Sequence, residues 1–139
     1  MPRRPEVLYD GAGEFDDRAA TTCARPCPSC SGPCSFDPFA VVRRGTAIGW
    51  ATSPSLAALQ QLVLDAIELT TSEFDGKRVL RSAHDRQCSP WVAPLSCPAC
   101  GQRCLAVVSY GETQPARWML VFDGLVPLTA PTAEPMIDT

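Results

Sequence analysis

Eight cysteines in a chain of 139 residues, gathered into two clusters, constrain the fold more than any other feature of the sequence. The first cluster is Cys23-x3-Cys27-Pro-Ser-Cys30-x3-Cys34. The second is Cys97-Pro-Ala-Cys100-x3-Cys104, with Cys88 nine residues upstream. Laid over each other, C-P-S-C-S-G-P-C and C-P-A-C-G-Q-R-C share a C-P-x-C-x3-C frame seventy residues apart. The flanking segments do not align, so a local device is repeated here rather than a domain.

The chemistry of that device is specific. Two thiolates separated by two residues reach one ion, at bond lengths of about 2.3 Å, when the backbone between them turns tightly. Proline fixes φ on such a turn. A small residue after the second cysteine lets backbone N–H groups point at the sulfurs and stabilise their charge. Cys-Pro-Ala-Cys-Gly meets each requirement, whereas Cys-Pro-Ser-Cys-Ser-Gly carries its glycine one position later.

The compartment decides between thiolates and disulfides. Behind the basic N-terminal residues Arg3 and Arg4 there is no apolar run of the about 7–15 residues that a secretory signal needs. No apolar stretch approaches the about 20 residues of a membrane span. A cytoplasmic protein is expected, or a nuclear one in a eukaryotic or viral setting. In a reducing compartment the cysteines are read as metal ligands.

The paired C-P-x-C turns, each leading towards a β-hairpin, resemble the knuckles of zinc-ribbon proteins. That resemblance implies one structural zinc held jointly by Cys27, Cys30, Cys97 and Cys100. Two partitions of eight ligands fit the spacing. In the local one, Cys23, Cys27, Cys30 and Cys34 hold one Zn2+ and Cys88, Cys97, Cys100 and Cys104 a second. In the other, the C-P-x-C turns share an ion, and Cys23, Cys34, Cys88 and Cys104 remain for another site. The local partition is favoured because closing short loops costs less entropy, giving two zinc ions, or one if only the turns share a site. Any of Cys23, Cys34 and Cys88 also fits the role of a small buried apolar residue.

The rest of the sequence predicts a small α+β fold with short antiparallel hairpins and one packed helix. Residues 1–22 are polar and acidic, a loosely held arm; residues 23–126 form the zinc-binding domain; the Pro-containing segment 127–139 is a mobile tail. Four prolines within 23–38 leave no room for a regular helix or strand. Phe39–Ala51 reads as a hairpin turning at Arg43-Arg44-Gly45-Thr46. Ser53 caps a helix with Pro54 in its first position, and Leu56, Leu59, Leu62, Val63, Ala66 and Ile67 recur on one face with Gln60 off it. Strands are expected at Lys77–Ala83, Leu105–Tyr110 and Arg117–Val126, with a proline-broken stretch around Pro90 and Pro94.

Other chemistries fit poorly. Cys23-x3-Cys27-x2-Cys30 matches the three-cysteine motif of radical-SAM enzymes, but the chain is too short for the barrel that motif serves. Neither C-x-x-C opens a helix as a thiol-redox pair would. His84, the one histidine, is a candidate zinc ligand or partner for Cys88, but a lone exposed loop histidine is the commoner explanation. There is no phosphate loop, H-E-x-x-H or G-x-S-x-G. A site closed by four thiolates has no open position for substrate. The expected function is therefore that of a non-enzymatic zinc-binding adaptor or regulatory protein with a protein partner, docking around Trp50 or Trp118. The alternatives are a zinc-ribbon nucleic-acid binder, which the net charge of −3 disfavours, and an iron–sulfur or thiol-redox protein.

Overall fold

The structure, a computed structural model, describes residues 5–11 and 22–128. Its elements run β1 (Glu6–Gly11), β2 (Cys23–Pro26), β3 (Pro33–Phe36), α1 (Pro38–Arg44), β4 (Thr46–Ala47), α2 (Pro54–Leu64), β5 (Leu69–Phe74), β6 (Lys77–Ser82), β7 (Ser89–Ser96), β8 (Arg103–Gln114) and β9 (Arg117–Pro127). Two helices and mostly antiparallel sheets make a small α+β fold.

The apolar run Leu105-Ala106-Val107-Val108 explains the layering. Alternate side chains of a strand point to opposite faces, and here both faces are covered. Leu105 and Val107 pack with Leu59 and Val63 of α2 and Leu69 and Leu80 of the β5–β6 hairpin. Ala106 and Val108 pack with Phe39, Val41 and Val42 of α1 and with Leu120 and Phe122 of β9. β8 is thus central in a five-stranded sheet of order β1-β9-β8-β7-β4, while β2–β3 and β5–β6 are separate two-stranded ribbons.

Four segments differ from the sequence reading. Phe39–Arg44 is helix, because the Asp37 side chain caps it, accepting from Phe39 N at 3.0 Å and Ala40 N at 3.4 Å. Pro38 stands in the first turn, where its missing N–H costs nothing. Arg43 and Arg44 consequently occupy the last helical turn, not a hairpin tip. The proline-rich 23–38 segment does hold strands: Cys23 pairs with Phe36 and Pro26 with Pro33, so prolines occur only at the ends of this ladder, beside the turn. Pro90 and Pro94 lie within β7, which is tolerated because its other neighbour, β4, pairs only at Val92 and Trp91.

The fourth difference is the expected N-terminal arm, whose residues Glu6–Gly11 form the edge strand β1 on β9. Ion pairs of Glu6 with Arg25 at 2.7 Å and Asp10 with Arg117 at 2.9 Å hold it there, so polar composition did not prevent pairing. Residues 1–4 and 12–21 of that arm, and the tail from 129, lie outside the described residues.

Ser53 caps α2 as read, its side chain accepting from Leu56 N at 3.2 Å. Gln60, expected off the apolar face, is fully buried. Its amide donates to Ile48 O at 2.9 Å and Arg78 O at 3.1 Å, and accepts from Arg78 Nε at 3.0 Å. One side chain thereby ties α2 to both flanking segments. Gln60→Leu keeps the volume but orphans those partners, and thermal unfolding should show a loss of about 2 kcal/mol. An unchanged melting temperature would mean that the amide contributes nothing net.

Candidate metal centre

Each C-P-x-C sequence forms the turn of a hairpin, the first between β2 and β3 and the second between β7 and β8. The two turns are built alike. Cys27 N donates to Gly32 O at 2.8 Å and Ser31 N to Cys27 O at 2.9 Å; Cys97 N donates to Gln102 O at 2.9 Å and Gly101 N to Cys97 O at 2.8 Å. In the first turn Ser29 N and Gly32 N point at Cys27 Sγ and Cys30 Sγ, each at 3.3 Å.

The residue after the second cysteine has positive φ in both turns, 66° at Ser31 and 78° at Gly101. The first knuckle therefore places serine where the second places glycine, and the later Gly32 does not take over the role. At Gly101 a Cβ would meet nothing within 4 Å, so Gly101→Ala tests backbone conformation alone. It should cost about 1 kcal/mol. Ser31→Gly should gain a similar amount, less the entropy of glycine in the unfolded chain. Thermal melts of the two variants, expected to move in opposite directions, check both.

The turns bring Cys27, Cys30, Cys97 and Cys100 together, with all four sulfurs within 4.8 Å of one another. Cys27 Sγ lies 3.7 Å from Cys100 Sγ, and Cys30 Sγ 3.6 Å from Cys97 Sγ. A tetrahedron with metal–sulfur bonds of about 2.3 Å has edges of about 3.8 Å, so this donor set fits one ion. Across the group, Ser29 Oγ donates to Gln102 Oε1 at 2.8 Å, and Gln102 Nε2 donates to Leu128 O at 2.9 Å. The Ser29–Gln102 bond locks one knuckle to the other, and no motif in the sequence marks either residue.

Electrostatics favour a cation here. The Cys100 N–H lowers the Cys97 thiol to about 6 against the effect of desolvation, with help from the Ala99 N–H. At Cys100 the Gln102 N–H pulls downward, but desolvation and the sulfurs of Cys30, Cys27 and Cys97 together push it up to about 12. Four crowded thiols cannot all ionise without a positive charge among them. A divalent ion held by the four sulfurs would supply that charge.

The other four cysteines do not join this group. Cys34 and Cys104 are fully buried. Cys34 packs with Cys27 and Cys97; burial first, then Cys97, pushes its thiol to about 12. Cys104 stands beside Cys27, its thiol raised to about 11 by burial and then by Cys27 and Cys97. Cys23 lies partly buried in β2. Cys88 is buried elsewhere, its sulfur 3.9 Å from Met119 O. His84 is exposed, with its backbone N–H on Ser82 Oγ at 3.2 Å. The sulfurs that meet thus come from both clusters, where the local partition would have kept each cluster to itself.

Two further features belong to other parts of the fold: an aromatic pair that includes Trp50, already singled out in the sequence as a docking point, and a buried carboxylate that no motif marks. Trp50 and Phe74 are 45% and 65% exposed and meet edge to face at 5.9 Å, with Lys77 Nζ 6.0 Å from the indole. Asp123, at 5% exposure, accepts hydrogen bonds from the Ser82 and Ser109 hydroxyls. Among the described residues no helix is long and apolar enough to cross a membrane. No family model, curated protein or solved structure matches this chain.

Proposed function

We infer that this chain is a non-enzymatic adaptor or regulatory protein whose fold is fastened by a structural zinc ion on Cys27, Cys30, Cys97 and Cys100. The observation that carries this reading is the closed four-sulfur group. All-thiolate, four-coordinate sites are characteristic of structural zinc and leave no coordination position for a substrate. An iron–sulfur cluster interposes its own iron and sulfide between the thiolates, and sulfurs all within 4.8 Å of one another favour a single ion instead.

The partner in this reading is a protein, anchored on Trp50 and Phe74. Tryptophan is among the residue types that carry most of the binding energy at protein interfaces, and phenylalanine is enriched in their cores. A nucleic-acid partner is disfavoured by charge. Four thiolates on one divalent ion add −2 to a chain already at −3. Several arginines are also engaged within the molecule, Arg25 with Glu6, Arg43 with Asp37, Arg78 with Gln60 and Gln61, and Arg117 with Asp10.

Elemental analysis of the purified chain should find zinc with negligible iron, and a colourless solution. Stoichiometric iron would overturn the zinc assignment. Mobility-shift assays on duplex and single-stranded probes at about 0.15 M salt should show binding weaker than the about 10⁻⁴–10⁻⁶ M of non-specific binders. A micromolar complex weakened by Arg43→Ala with Arg44→Ala would replace the adaptor reading by nucleic-acid binding. Any protein that copurifies should be lost in Trp50→Ala/Phe74→Ala.

A further inference from the structure

The two knuckles hold each other through the chain as well as through any shared ion. Ser29 Oγ donates to Gln102 Oε1 at 2.8 Å. At Gly32 the missing side chain lets the turns approach, since a Cβ there would stand 3.3 Å from Ala99 Cβ. Beside them β3 lies against β7. The four sulfurs are therefore neighbours by virtue of the fold, and remain so when an ion leaves. We propose that this group is also a thiol oxidation site: a hydroperoxide converts it into two disulfides that cross between the knuckles, Cys27–Cys100 and Cys30–Cys97, and the ion is expelled. The ion in this proposal rests on the zinc reading; the bridges rest on the positions of the sulfurs alone.

The pairing follows from which sulfurs meet. Cys27 Sγ lies 3.7 Å from Cys100 Sγ, and Cys30 Sγ 3.6 Å from Cys97 Sγ. A disulfide bond is about 2.05 Å long, so each pair has to close by about 1.6 Å. Each pair also joins an exposed sulfur to a buried one. Cys30 and Cys100 are exposed, whereas their partners Cys97 and Cys27 are each 2% exposed. An oxidant in solvent reaches the first member, and the second stands behind it as the resolving thiol. Cys34, Cys88 and Cys104 are 0% exposed and lie beyond that reach.

The chemistry balances. The exposed sulfur attacks one peroxide oxygen, the O–O bond breaks, and the other oxygen leaves as water after taking a proton from solvent; the cysteine becomes a sulfenic acid. The buried partner then attacks that sulfur, the S–O bond breaks, and a second water leaves with another solvent proton. For both pairs, four thiolates lose four electrons, two peroxide molecules gain them, and four protons give four waters. Disulfide sulfur carries no negative charge, so nothing holds the divalent ion and it departs. Bridges that cross between the knuckles fasten the same two hairpins the ion fastened, and a thiol reductant restores the four ligands. Bridges within each knuckle would leave the hairpins unfastened.

The test uses the full wild-type chain, loaded with zinc and treated with a few equivalents of hydrogen peroxide. A chromogenic chelator should report zinc release, and reduction by dithiothreitol in the presence of zinc should restore the bound ion. Trypsin does not cut between Arg25 and Pro26, so Cys27 and Cys30 fall in fragment 19–43 and Cys97 and Cys100 in fragment 87–103. Without reductant, mass spectrometry should find these two fragments joined and four hydrogens lighter than their sum, with fragment ions placing the bridges at Cys27–Cys100 and Cys30–Cys97. Separate fragments each two hydrogens lighter, bridges between Cys27 and Cys97 or to any other cysteine, sulfinic or sulfonic acids in place of bridges, or retention of zinc with four free thiols would each overturn the proposal. A chain that carries no zinc as purified or after loading overturns the zinc reading instead. Peroxide treatment of that metal-free chain then decides the bridges by the same fragments.

Discussion

Cys97→Ser should abolish metal binding and unfold the protein at the end of the sheet where β7 meets β8. Structural zinc contributes on the order of 10–16 kcal/mol of apparent binding free energy per site, comparable with the whole stability of a small domain. Cys97 is the most committed of the four sulfurs. It is 2% exposed, its thiol is lowered to about 6 by the Cys100 and Ala99 N–H groups against desolvation, and it lies 3.6 Å from Cys30. Serine oxygen is a poor ligand beside three soft sulfurs. Cys100→Ser should behave alike, whereas the exposed His84, changed to alanine, should leave zinc content and melting intact. Zinc analysis and calorimetry on the three variants check this. If Cys97→Ser keeps both its zinc and its melting temperature, the four-sulfur group is not a metal centre.

The ligands and their pairing were legible to different degrees. Both C-P-x-C turns stand out in the sequence, because the proline and the small following residue are local requirements. Which turn meets which is a long-range property. Loop-closure entropy favours local sites, but it grows only as the logarithm of loop length, so a tenfold longer loop costs about 2 kcal/mol more. The sheet outweighs that term by carrying the β7–β8 turn to the β2–β3 turn, with β3 lying against β7. The third cysteine of each repeat also sits on a strand and is fully buried. For α2 the Ser53-Pro54 start and apolar spacing were sufficient. For Val41-Val42 they misled, since β-branched residues favour strands while the decisive signal was the single cap at Asp37. Gln60, Gln102 and Asp123 were invisible because the partners that fix them across the fold, Ile48 and Arg78, Ser29 and Leu128, and Ser82 and Ser109, lie far away in sequence.

Asp123 has a measurable consequence of that kind. Opposite β8, Val107 pairs with Gly124 and Val108 with Phe122, so Asp123 is the extra residue of a β-bulge. Bulges redirect side chains, and this one turns the carboxylate inward to Ser82 and Ser109. Gly124 permits the kink to lie close under the turn that follows α2, since a Cβ there would stand 2.8 Å from Ile67 Cγ2. Desolvation raises the Asp123 carboxyl to about 7, partly opposed by the hydroxyls of Ser109 and Ser82. In the unfolded chain it titrates near 3.9, so folding takes up a proton between those values. The stability this group contributes is fully present below about pH 4 and is lost as pH rises through about 7, the total being on the order of 4 kcal/mol. An asparagine at this position would have no such loss, and its amide can exchange hydrogen bonds with both hydroxyls. Asp123→Asn should therefore stabilise the protein at alkaline pH, and its advantage over wild type should widen by about 2 kcal/mol between pH ~5.5 and pH ~8. Acid release of zinc acts on both proteins alike and cancels in the difference. Chemical denaturation of the pair across that range reads the gap directly. A gap that stays constant with pH would mean that Asp123 is ionised throughout, with the two serine hydroxyls outweighing the desolvation that the burial imposes.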